Sequence, residues 1–310
     1  MDYLYLLIAC IFFSLQFIFT KFFEKRTVGG LSVSLYNGII SASVASLFLI
    51  VKSGLPAEMN LGAFLVALLY SLSGIVCGVS SFMGMTYGKV SAVTTFCLAG
   101  GMVVPYFYGI YLGENPGVFK WIGIIVLMIS LIPTLLKKEE TTGRNNRILY
   151  IIAVSLVFLT NGLVSVFSKM HQIATFAVSE DSFIMTASFI RLALSLLIMV
   201  ILAVVSTVKG EKSAFKKAFW EIGKNKMTVK LFILLVIFAG SYAVCNTLGN
   251  IFSLKCMVTM DASIQFPILS AVVIVLGAVF GRIFFKEKIT KDMALSLILS
   301  VIGIGLFMIP

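Results

Sequence analysis

Residues 183–207 read FIMTASFIRLALSLLIMVILAVVST, an apolar run broken by a single charge, Arg191. At about 1.5 Å of rise per residue, a helix of this length crosses the roughly 30 Å hydrocarbon core of a bilayer. Leu, Ile, Val and Met surround its whole circumference, leaving no polar face for water. The stretch therefore reads as a membrane span, and Arg191 as a charge about nine positions into it.

The rest of the chain repeats this pattern. Of 310 residues, 60% are hydrophobic and only 12% charged, whereas a soluble domain is about one quarter charged. Soluble enzymes, collagen-like chains and disordered tails are excluded on that ground. Ten apolar spans are expected, at 3–23, 31–52, 61–86, 91–113, 117–136, 148–170, 183–207, 230–254, 262–285 and 290–309. The first lacks a basic segment before it and a small-residue cleavage site after it, so it is expected to be a retained helix. Gly and Pro punctuate short connections such as Ser53-Gly54-Leu55-Pro56 and Gly113-Glu114-Asn115-Pro116-Gly117.

The formal charge of +11 comes from the connections. Nineteen of the 24 Lys and Arg fall in connections after odd-numbered spans, four in the other set, and Arg191 inside a span. The positive-inside rule makes the rich set cytoplasmic and puts both termini outside, so nucleic acid is not needed to explain the charge. Within 208–229, Phe215, Phe219 and Ile222 form an apolar stripe among Lys212, Lys216, Lys217 and Lys224. It reads either as a short helix on the anionic leaflet or as a solvated loop. Cys10, Cys77, Cys97, Cys245 and Cys256 lie in apolar stretches without paired spacing, and His171 is the single histidine. No disulfide framework, metal site or cofactor is expected.

The chain also repeats itself at half its length. Ser14-Leu15-Gln16-Phe17-Ile18-Phe19-Thr20-Lys21 in the first span matches Gly162-Leu163-Val164-Ser165-Val166-Phe167-Ser168-Lys169 in the sixth: a small residue, then a hydroxyl and Lys at the same spacing. Gly113-Glu114 and Lys286-Glu287 each precede an apolar helix ending Ile132-Pro133 or Ile309-Pro310. The expected organisation is a five-helix repeat at 1–136, a basic connection at 137–147 and a second repeat at 148–310. An odd helix number inverts the second repeat relative to the first, an architecture of many secondary transporters.

These residues resemble the drug/metabolite transporter superfamily, EamA-type branch. The resemblance rests on Phe17-Ile18-Phe19-Thr20-Lys21 with Phe167-Ser168-Lys169, on Val90-Ser91-Ala92, on Gly113-Glu114, on Gln265-Phe266-Pro267 and on Glu287, and covers nearly the whole chain. It implies a ten-helix carrier with a central cavity, working by alternating access on small metabolites or drugs. Two features depart from the family: Ser14-Leu15 and Asn161-Gly162 replace a Trp-Gly pair common in the first helix of each repeat. The charge count also puts the termini outside, where several members keep them in the cytoplasm. The direction of transport is therefore left open.

Arg191 leads the candidate substrate-binding residues, because an intramembrane charge must face the bundle interior or a wet cavity. It reads either as the anchor of an anionic or polar solute group or as a structural Arg on carbonyls and amides. Asn37 is its expected repeat partner. Asn161, Gln16, Asn246, Gln265 and Tyr106 complete the expected site, each having an alternative as glue between helices. Lys21 and Lys169 read as snorkelling toward headgroups or as gates at the cavity mouths. Glu114 and Glu287 are expected to cap helix ends. Gly74-x3-Gly78, Gly84-x3-Gly88, Gly109-x3-Gly113 and Gly277-x3-Gly281 are expected close-packing seams, and Pro105 and Pro267 breaks beside the cavity.

The expected activity is secondary transport of a small polar metabolite, neutral or anionic, across the cytoplasmic membrane. The first and sixth spans lack a midmembrane carboxylate, which disfavours the cation/proton exchange of the small multidrug members. Efflux of amphipathic drugs is the alternative, and a non-transporting scaffold or lipid-handling protein the second. No nucleophile with base and no paired carboxylates point to an enzyme. The expected partners are the solute and the bilayer, with the chain as a monomer or homodimer.

Overall fold

In the computed structural model, residues 2–27, 31–56, 59–87, 90–136, 147–208, 228–286 and 290–309 are described. They form ten helices: α1 Asp2–Glu24, α2 Leu31–Ser53, α3 Leu61–Tyr87, α4 Val90–Tyr111, α5 Val118–Leu136, α6 Arg147–Ile173, α7 Glu180–Val208, α8 Val229–Met257, α9 Ala262–Phe285 and α10 Lys291–Phe307. No β-sheet occurs among the described residues. Eight helices are long and apolar enough to cross a membrane, while α5 and α10 carry shorter apolar runs, Val118–Ile132 and Ala294–Phe307. The protein is an all-α, multi-pass membrane protein. The amphipathic stripe at 212–224, Glu287 and residues 137–146 of the connection lie outside the described residues.

Apolar side chains such as Val51, Leu61, Val118, Val200 and Val208 are exposed on the periphery, whereas many Ser and Thr residues are buried. Lipid explains this inversion of the soluble pattern: peripheral Leu and Val meet acyl chains, and hydroxyls must find partners inside. Many find them within their own helix. Ser14 donates to the Cys10 carbonyl at 2.7 Å, Ser46 to Ala42 at 2.8 Å and Ser188 to Ile184 at 2.8 Å. Such bonds let a hydroxyl enter the apolar core without an unpaired polar atom.

The helices pack across the chain more than along it. α1 lies against α8 and α9, α6 against α3 and α4, α2 against α7, α4 against α9 and α5 against α10. Exchanging α1–α5 with α6–α10 leaves this set of pairings unchanged. α6 and α8 each run three residues past their expected ends. Polar residues there read as loop, yet His171 stacks on Phe183 with centroids 4.0 Å apart and its Nε2 accepts from the Val178 amide at 3.2 Å.

The close-packing expectation holds at Gly74, Gly84 and Gly109, where an added Cβ would press on Arg191, Val93 and Glu114, and is corrected at Gly277; Gly88 lies outside the described residues. Gly277 has open space where a Cβ would stand, and the tightest seam is Gly100 of α4 against Gly162 of α6. The prolines are corrected too: α4 continues through Pro105 and α9 through Pro267, and neither lines the cleft described below. Pro267 stands in the first turns of α9, where few amide bonds are lost.

Candidate functional site

A narrow cleft opens between α2, α3, α7 and α8, with about 20 Å3 of free space, little more than one water needs. Arg191 enters it from α7 and Tyr70 from α3; Ser41 of α2, Ser188 of α7, and Tyr242, Asn246 and Thr247 of α8 complete the polar wall. The Arg191 Cζ stands 5.7 Å from the centroid of the buried Tyr70 ring, a cation–π arrangement. Gly74, one turn beyond Tyr70, makes room: a Cβ there would be 2.9 Å from the guanidinium Nη2. The Arg191 Nε is buried and has no hydrogen-bond partner among the described residues.

The neighbouring neutral groups are already engaged. Tyr70 donates from its hydroxyl to the Asn250 Oδ1 at 3.2 Å, Asn250 from Nδ2 to the Asn246 Oδ1 at 3.2 Å and carbonyl at 2.8 Å, and Asn246 from Nδ2 to the Gln16 Oε1 at 2.7 Å. This relay runs from the cleft through α8 into α1. It fixes the amides' orientation, because each Nδ2 in it meets an oxygen and no donor faces a donor. Tyr70 and Asn246 thus spend their donors on Asn250 and Gln16, and the Arg191 Nε is left without a partner among the described residues.

The sequence-expected residues divide accordingly. Arg191 and Asn246 share the cleft, Gln16 supports Asn246 from behind, and Asn37 meets the cleft-lining Ser41 hydroxyl at 3.4 Å. Asn161 lies elsewhere, donating to the Cys97 carbonyl at 2.7 Å across α4 and α6. Tyr106 is fully buried among Met102, Leu127 and Phe307, edge-on to Trp121 at 5.4 Å, and its hydroxyl has no partner among the described residues. Gln265 is also fully buried and donates to the Ser253 carbonyl at 2.9 Å. The three distant residues are polar groups drawn inward by the cost of facing lipid, without sharing one cavity.

The two lysines differ. Lys21 of α1 holds its Nζ 4.7 Å from the Phe285 ring centroid. Lys169 is 5% exposed and donates to the Met257 and Met260 carbonyls at 2.7 Å each, so it neither snorkels nor stands free at a mouth. A cation on the final carbonyl of α8 and on one in the turn after it satisfies acceptors that a helix end leaves open. Glu114 serves the next helix: it accepts from the Ala262 and Ser263 amides at 2.7 and 2.8 Å, where the N-cap Asp261 makes no side-chain cap bond. Gly113, at φ +90°, lets the Glu114 amide close back on the Gly109 carbonyl at 3.0 Å and turns the carboxylate toward α9. Lys52 with Asp181 at 2.7 Å, and Asn60 donating to the Phe176 carbonyl at 2.8 Å, tie the remaining turns at this end of the bundle.

Sequence reading missed Tyr70 and Ser41. The sequence places Tyr70 and Gly74 one helical turn apart on α3 but does not show that they face Arg191. We expect Gly74→Ala to leave thermal stability unchanged or raised by about 0.5–1 kcal/mol, since Ala is the better helix former and the Arg tip can swing away. Displacing that tip is expected to weaken solute binding about tenfold, or about 1.4 kcal/mol. Titration of solute protection against unfolding in wild type and variant measures both.

No curated protein matches the chain. A solved structure described only as "Crystal structure of protein" aligns with a TM-score of 0.69 at 13% identity, covering 98% of this chain and 95% of that one. That likeness concerns the fold. The model of the EamA-like transporter family, a family of transporters rather than enzymes, matches residues 1–136, which span α1–α5. The first five-helix stretch, residues 1–136, is thus similar to the EamA-like transporter family.

Proposed function

We propose that the protein is a secondary transporter that moves a small polar solute, neutral or anionic, across the cytoplasmic membrane by alternating access, with the Arg191 cleft as its binding site. One observation carries this reading: a guanidinium inside the bundle whose Nε is buried without a partner. A charge at that depth costs a few kcal/mol on insertion scales, a cost consistent with a functional role.

The remaining features support the mechanism. Residues 1–136 and 148–310 act as two inverted repeats with ten spans: the helix pairings survive exchange of the halves, and the cleft is lined by α2, α3, α7 and α8, which exchange with one another. Both termini lie outside, because the Lys/Arg-rich connections are cytoplasmic. The opposite end, tied by Lys52–Asp181, Lys169 and Glu114, is then the closed external gate. Free space of about 20 Å3 is too small for a metabolite, so loading requires the halves to rock apart.

The test is solute flux into proteoliposomes of purified wild type and Arg191→Ala, across a metabolite panel. Loss of a charge-assisted bond worth about 2–3 kcal/mol predicts a 30- to 150-fold weaker apparent affinity, with unfolding of the variant still cooperative. Saturable flux unchanged by Arg191→Ala removes Arg191 from the site. No saturable flux in wild type favours a scaffold.

A further inference from the structure

We propose that the Arg191 cleft selects a compact monocarboxylate, in preference to the zwitterion or the neutral amide of the same size. This deepens the transporter reading and rests on it. The argument begins with charge. Among the described cleft-lining residues Arg191 is the single ion, and no Asp or Glu faces it. Its countercharge must come from the ligand. An ammonium entering the cleft would meet a like charge and no carboxylate, with several kcal/mol of desolvation left uncompensated.

Hydrogen-bond accounting narrows the class further. Tyr70, Ser188 and Asn246 already direct their donors to Asn250, Ile184 and Gln16. The donor left buried and unengaged is the Arg191 Nε. Together with an adjacent Nη it presents the edge of a guanidinium that pairs with the two oxygens of a planar carboxylate. A primary amide offers one acceptor oxygen and an N–H pair, which would point a donor at a donor. A spherical halide satisfies the charge but not the fork. The closed cleft has room for little more than a water, so the solute enters as the halves part, and the Tyr70 and Tyr242 rings then give a short tail an aromatic wall.

Lactate, alanine and lactamide share one carbon skeleton and differ in these features alone. The full chain in nanodiscs is heated with each probe, and with potassium chloride at equal ionic strength, for wild type and Arg191→Gln. A ligand that binds only the native state raises the unfolding temperature. Lactate is expected to raise it by several degrees in wild type and not in Arg191→Gln, with alanine, lactamide and chloride at least about tenfold weaker. Protection by alanine, lactamide or chloride equal to that by lactate overturns the proposal, and so does no protection by lactate. Should Arg191→Gln not fold, the ranking of the four probes on wild type decides alone. Counterflow with the same probes separates the two levels. Saturable alanine or lactamide flux without lactate flux sinks the carboxylate class and leaves the carrier standing. Absence of all saturable flux, over a wider metabolite panel as well, sinks both.

Discussion

Lys169→Met is expected to destabilise the protein by about 3 kcal/mol. Lys169 places two short bonds on the Met257 and Met260 carbonyls, and its side chain is all but inaccessible. Each bond from a charged donor contributes about 1.5–3 kcal/mol, and part of that sum is offset because Met no longer has to bury an ammonium. Met keeps the length and apolar contacts of the stem, so the loss reports the bonds and not a cavity. Glu114→Gln provides the internal comparison: one amide oxygen still accepts at the start of α9, and about 1 kcal/mol is expected to go. Thermal or denaturant unfolding in detergent measures the two. A loss below about 1 kcal/mol for Lys169→Met would mean that the Met257 and Met260 carbonyls find other partners, and its account as the tie of that end would fall.

Eight of the ten expected spans, and Arg191 as an inward charge, were readable because lipid imposes a one-dimensional rule: length and hydropathy alone decide which residues cross. The site was only half readable. Gln16, Asn246, Asn161, Tyr106 and Gln265 all had to turn inward, but each has several inward neighbours. The choice among them depends on how α1, α4, α8 and α9 rotate about their axes. Thus Asn246 reaches the Arg191 cleft while Tyr106 is shut in with Trp121 and Phe307. Tyr70 went unnoticed because one aromatic in an apolar helix carries no mark of the partner it will face. Lys21 and Lys169 share a sequence context and differ in surroundings: one meets an aromatic ring, the other two helix-end carbonyls. A repeat in sequence fixes where a side chain starts, and packing fixes where it ends.

Gly100→Ala is expected to cost about 3 kcal/mol or more and to reduce the yield of folded protein. An added Cβ at Gly100 would overlap the Phe158 carbonyl oxygen and stand 2.6 and 2.8 Å from the Phe158 carbonyl carbon and Cα. These are backbone atoms of α6 and cannot rotate away as the Arg191 tip does from Gly74. Relief requires α4 and α6 to separate, which loosens Val104 against Gly162 and stretches the 2.7 Å bond from Asn161 to the Cys97 carbonyl. Overpacking costs typically 1–3 kcal/mol where side chains can adjust, and more where helices must move; the better helix propensity of Ala returns at most about 1 kcal/mol. The two glycine substitutions therefore separate what is rigid from what adjusts. Gly74→Ala should preserve the fold and weaken binding, whereas Gly100→Ala should damage the fold and leave the intrinsic affinity of whatever folds unchanged. Unfolding and ligand protection measured side by side on both variants decide this. A Gly100→Ala protein as stable as wild type would show that α4 and α6 can slide apart freely, and the rocking of the halves would then have to include this seam.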